Sequence, residues 1–132
     1  PAPAPDAARL ATDAFRHAVA IGLLEAGETG RFALTHVAVM REYLAERFPQ
    51  ALPSLTAREV GAALVGAEFP ILPERVVELL LRAEPIAFAN APIDAAGARA
   101  IADEAQGIVR DVETAWLVRR TAVPKPGRRR AS

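Results

Sequence analysis

Residues 31–48 read RFALTHVAVMREYLAERF, and Pro49 follows at once. Val37, Met40, Leu44 and Phe48 recur at three- and four-residue spacing, which puts them on one stripe of a helix. Pro49 with Pro53 then forces a loop. That spacing is helical, and together with the four further helical segments around it sets the expected fold class as all-α, a single domain of about five helices.

Working outward, the clearest boundary signal lies just downstream. Thr56 and Glu59 have the spacing of a capping box, in which each side chain satisfies an orphan amide at a helix start. That predicts a short third helix over about 57–65. Phe69-Pro70-Ile71-Leu72 then leads into a fourth, with Pro73 at its first turn and Glu74 at its positive end. Val76, Val77, Leu79, Leu80 and Leu81 continue it until Glu84-Pro85, where it is expected to stop. Ile86-Ala87-Phe88-Ala89 then reads as one short extended strand or a packed loop, which admits a winged-helix-like variant. Asp94 caps a fifth helix over about 95–119, with Ala98, Ile101, Ala105, Ile108, Val112 and Ala115 as its seam and Trp116 beside it. Gly97 and Gly107 weaken it locally or admit a close neighbour.

Upstream, a first helix is expected over about 6–26, capped by Asp6 and closed by Gly27. Its inward stripe would be Leu10, Ala11, Ala14, Phe15, Ala18 and Gly22, with Ile21 alongside. Before it stands Pro-Ala-Pro-Ala-Pro, a sequence that favours a semi-rigid extended spacer. The organisation is therefore an Ala/Pro tether over 1–5, a helical domain over 6–119 and a flexible basic tail over 120–132.

Composition narrows the functional classes. Of the 132 residues 52% are hydrophobic, but many are alanine, so Phe15, Phe32, Tyr43, Phe48, Phe69, Phe88 and Trp116 are the expected bulky core elements. There is no cysteine, hence no disulfide, thiolate metal site or cysteine nucleophile. The formal net charge is zero, yet Arg119, Arg120, Lys125, Arg128, Arg129 and Arg130 cluster at the end. The body keeps ten basic and sixteen acidic residues, a formal charge of −6, which suits nucleic acid poorly. No apolar run is long enough to span a bilayer.

The chemistry-bearing residues do not form a catalytic pattern. His17 and His36 sit in different helices with no HxxxH or HExxH partner. Ser54 and Ser132 have no nucleophile elbow around them. Gly27-Glu28-Thr29-Gly30-Arg31 carries a carboxylate where a phosphate loop needs none. Asp103 and Glu104 are adjacent and diverge on a helix, whereas Glu42 and Glu46 share a face of the kind that meets solvent or a partner. The expectation is a non-enzymatic domain with no cofactor and no metal. The alternative is a nucleic-acid-binding regulator that uses a helix-turn-helix made of the third and fourth helices together with the basic tail. The polar positions of that fourth helix are Glu74, Arg75, Glu78, Arg82 and Glu84, an acidic surplus that would repel phosphate.

The stretches VMREYLAERFP (39–49), SLTAREVGAAL (54–64) and LLLRAEPIAFANAPIDAAGARAIADEAQGIVRDVE (79–113) also carry a resemblance. Its anchors are Arg41, Tyr43, Leu44, Arg47 and Phe48, then Leu55, Thr56, Glu59 and Leu64, then Leu80, Ala83, Phe88 and Ala89. Together they resemble the soluble C-terminal domain of bacterial aerotolerance-type (Bat-like) membrane proteins and related uncharacterised families, over roughly 27–113. Where such proteins commonly have an ADLVKFA run, this chain has AEPIAFA, with Ala87 in place of the basic residue and Pro85 inserted.

The resemblance implies a membrane-anchored helical domain on the cytoplasmic face of the bacterial inner membrane, its transmembrane segment outside this chain. It implies work beside a MoxR-type AAA+ ATPase and von Willebrand factor A domain proteins, and no catalytic residues. The candidate partner surface is Arg41, Glu42, Glu46 and Arg47 with Phe88. Lys125, Arg128, Arg129 and Arg130 form a candidate contact for a polyanion or an anionic membrane.

Overall fold

Thr56 and Glu59 close the capping box that the sequence announces. The Thr56 hydroxyl accepts from the Glu59 amide at 3.2 Å, and the Thr56 amide donates to Glu59 Oε1 at 2.9 Å. The helix they start is the third of five in the computed structural model, which describes residues 6–121. The order is α1 (Ala7–Ala20), α2 (Thr29–Arg47), α3 (Ala57–Gly66), α4 (Pro73–Ala89) and α5 (Ala95–Thr121), with no strand among the described residues. The protein is an all-α single domain. Residues 1–5 and 122–132, expected as tether and tail, lie outside the described residues, and α5 extends two residues past its expected end.

The central element is α2, which packs on α5 most extensively and also on α1 and α4. α3 packs on α4, while α1 meets only α2 and α5. The α2–α5 pair is thus flanked by α1 on one side and the α3–α4 pair on the other. Met40, Leu44, Leu64, Leu79, Val76, Ile108 and Val112 are fully buried at the centre. Thr29, at the start of α2, donates its hydroxyl to the Ile93 carbonyl at 2.7 Å and so ties α2 to the entrance of α5. Asp94 accepts from the Gly97 amide at 2.7 Å as the expected cap of α5.

Two helix boundaries differ from expectation by more than two residues. α1 ends at Ala20, six residues early, because Gly22 and Gly27 both take φ 78 and wind the chain through a turn. Gly22 therefore breaks the helix instead of lining its inner stripe. Leu10 and Ile21, also expected inside, are half-exposed, and the buried stripe is Ala7, Ala11, Phe15 and Ala18.

The larger correction concerns Pro85. α4 passes straight through it, so Ile86–Ala89 is helix and neither strand nor loop. A proline inside a helix forfeits the amide bond to the carbonyl four residues back, here Leu81, at a cost of about 3 kcal/mol. The buried stripe Val76, Leu79, Leu80, Ala83 and Ile86 continues across that position and supplies the compensation. Ile86 is buried, and a Cβ on Gly30 would stand 3.2 Å from its Cγ2, so the bare backbone at the start of α2 admits it. The helix ends instead at Asn90, which takes φ 50, with the Ala91 amide returning to the Pro85 carbonyl at 2.9 Å.

Candidate functional site

Arg47, at the last turn of α2, gathers more polar partners than any other side chain described. Its Nη2 lies 2.9 Å from Glu113 Oε2 on α5 and 2.9 Å from Asp6 Oδ1 at the start of α1. Tyr43, one turn earlier, donates its hydroxyl to Glu113 Oε1 at 2.5 Å. The guanidinium carbon also stands 5.0 Å from the Trp116 ring centre and 5.7 Å from that of Tyr43. Both ends of the pair are largely enclosed, with 13% of the Arg47 side chain and 17% of that of Glu113 exposed.

The electrostatics follow from this packing. Burial alone would weaken the Arg47 charge, but hydrogen bonds with Asp6, Tyr43 and Glu113 outweigh it and hold its pKa above the ordinary arginine value. Burial, and then the hydrogen bond to Glu113, pushes the Tyr43 phenol up, so it stays a protonated donor. The Arg47 hydrogen bond holds Asp6 below the usual carboxylate range. The cluster joins the start of α1 and the last turns of α2 to the C-terminal half of α5 and has no free nucleophile or proton acceptor among these groups. Arg47 is therefore a clamp, which contradicts its expected place on a partner-facing surface.

Arg41 lies on another side of α2. Its guanidinium donates to the carbonyls of Pro53 and Leu55, fastening the loop that the prolines force. Burial lowers its pKa. It forms one wall of a groove of about 310 Å³, with Leu34 and Val37 beside it, Leu55 and Ala57 at one end and Leu80, Ala83 and Phe88 of α4 opposite. Phe88 is 86% exposed, the most exposed large apolar side chain described, and so is not the core element its type suggests. The groove brings two of the expected surface residues, Arg41 and Phe88, together.

Glu42 and Glu46 are exposed on a different groove of about 290 Å³, shared with Leu10, Ala14 and Pro53. The expected five-residue surface is thus divided among two grooves and one interior cluster. Lys125, Arg128, Arg129 and Arg130 lie outside the described residues. A larger open groove, about 720 Å³, runs between α1 and α5 over Phe15, Val19, Val109 and Leu117. Sequence reading missed it. The signal was Val19, four residues after Phe15 and so on the same side of α1.

His36 is fully buried, stacked on Phe15 and tilted against Phe32. Its Nδ1–H donates to the Phe32 carbonyl at 2.8 Å, and Nε2 has no hydrogen-bond partner. No group of three or more His, Cys, Asp or Glu side chains converges to hold a metal ion among the described residues. On α4, Arg75 is bound to Glu104 at 3.1 Å and Asp111 at 2.8 Å, which leaves Glu74, Glu78 and Arg82 exposed along that helix. No described helix is long and apolar enough to cross a membrane. No protein-family model, no curated protein and no solved structure matches the chain.

Proposed function

We propose that this chain is a non-enzymatic protein-interaction domain whose docking face is the groove between Arg41 and Phe88. The observation that carries this reading is Phe88 itself. A phenylalanine left 86% exposed at a groove rim adds nothing to this core, and covering its ring with a partner would bury a large apolar area. The groove walls are stiff, because Arg41 fastens one and the continuous α4 forms the other. Pre-formed walls reduce the ordering cost of association.

The resemblance to the C-terminal domains of Bat-like membrane proteins supplies the setting. In this reading the domain is tethered at the cytoplasmic face of the bacterial inner membrane and meets a MoxR-type ATPase or a von Willebrand factor A domain protein. The test is a binding titration of the full chain against each of those two proteins from the same genome. Saturable binding that F88D abolishes, with helicity and melting unchanged, supports the proposal. Binding indifferent to F88D moves the docking face elsewhere. For the tether, the parent reading frame should show about 20 apolar residues upstream of Pro1.

The helix-turn-helix alternative fares worse on geometry, since the exposed line of α4 presents Glu74 and Glu78 with Arg82. Duplex binding at low salt that is lost on truncation after Val123 would favour it.

A further inference from the structure

The α1–α5 groove carries a second inference, independent of the Phe88 face. Along α1 its wall runs from Ala8 to Ala20 and along α5 from Gln106 to Leu117, so each wall is about 17 Å long at 1.5 Å per residue. That is the length of a three-turn helix. α1 and α5 both lean on α2 and touch each other only sparingly, so the space between them is where a further helix of a bundle would lie. Phe15, Val19, Val109 and Leu117 give it an apolar stripe, bordered by Thr12, Gln106 and Thr114, and Val19 is 52% exposed.

The charge on the groove selects its occupant. Arg16 stands on one wall and Arg110 on the other, with 79% and 72% of their side chains exposed. Arg16 has an acidic neighbour in Asp13 at 3.9 Å only, and Arg110 reaches Asp111 at 3.3 Å, a carboxylate already held by Arg75 at 2.8 Å. Glu113, the acid that lines the groove, is neutralised by Arg47. Both walls therefore offer unspent guanidinium donors flanking an apolar floor. The chain's own basic end, with Lys125, Arg128, Arg129 and Arg130, has the wrong charge to fill it.

We propose that the α1–α5 groove receives an amphipathic helix of an acidic partner protein, its apolar residues on Phe15, Val19 and Leu117 and its carboxylates between Arg16 and Arg110. An open groove walled by two helices fits a helix laid into it, read through apolar anchors at i, i+4 and i+7.

The test titrates the isotope-labelled full chain with a helical peptide of about 15 residues carrying leucines at that spacing and glutamates on both flanks. A second peptide has the same leucines with lysines in place of the glutamates. Shifts of amides lining α1 and α5, with a preference for the acidic peptide of about tenfold or more, support the proposal. The exchange R16E/R110E, at two exposed positions, should reverse that preference. V19E should abolish both interactions, and F88D should change neither. Equal affinity for the two peptides, shifts confined to other faces, a preference that survives R16E/R110E, saturation of the groove by dodecanoate alone, or a self-associated chain whose groove the peptide cannot enter would each overturn it.

Discussion

Arg47 and Glu113 stand across the α2–α5 interface with their charged atoms 2.9 Å apart and the side chains mostly enclosed. Their charges are further spread over Asp6 and Tyr43. Removing one member of such a pair leaves the other desolvated and unpaired, which is costlier than losing both. R47M should therefore lower unfolding free energy by about 2–4 kcal/mol in urea denaturation. R47M/E113L should recover part of that loss. A double variant that loses as much as the sum of the singles would show that the two side chains act independently.

The bond from Arg47 to Asp6 makes a pH-dependent contribution. The folded Asp6 pKa lies below its ordinary value of 3.8. Its stabilisation is thus fully present above that value and is lost as pH falls through the lower, folded one. D6N keeps an N-cap oxygen for the Ala8 amide but removes the charge. Between about pH 5 and pH 2 the D6N protein should lose less melting temperature than the wild type. Identical acid profiles would contradict the role assigned to this bond. Asp111, held down by Arg75, loses stability in the same direction in both proteins.

Gly61 faces Val77 where α3 packs on α4. A Cβ there would come within 2.6 Å of the Val77 Cγ2. Alanine in place of glycine ordinarily favours a helix by about 1 kcal/mol, while overpacking costs about 1–3 kcal/mol. G61A should come out net destabilising, and G61A/V77A should restore stability beyond what V77A alone predicts. A stabilised G61A would show that the two helices can part there without loss.

Pro85 shows what local rules read and what they miss. The capping box at Thr56 and Glu59, the loop after Phe48 and the seam of α5 are local patterns, and each forms as its residues imply. Proline as a helix stop is also a local rule, and here tertiary burial of Ile86 overrides it. Once α4 continues, Phe88 turns outward, so a residue whose type suggests core becomes the most exposed aromatic. Arg47 and Glu113, 66 residues apart, are joined only by the packing of α2 on α5, and periodicity has no access to that pairing. The α1–α5 groove was hidden for the same reason, because it is a gap between elements.

P85A follows from this. It returns an amide donor for the Leu81 carbonyl in the middle of α4, at an exposed position. Thermal unfolding should show a gain of about 2 kcal/mol, the proline penalty less the entropy that proline removes from the unfolded chain. A loss of stability would mean that the packing of Ile86 requires the backbone that proline sets at position 85.

The proposed docking role of Phe88 is tested most directly by site-specific photo-crosslinking in the full chain. A photoreactive phenylalanine analogue at position 88 should crosslink to the MoxR-type ATPase or the von Willebrand factor A protein. The same group at Val65, another exposed apolar position on α3, should not. Equal crosslinking at both positions, or none at 88 with binding intact, would contradict the assignment.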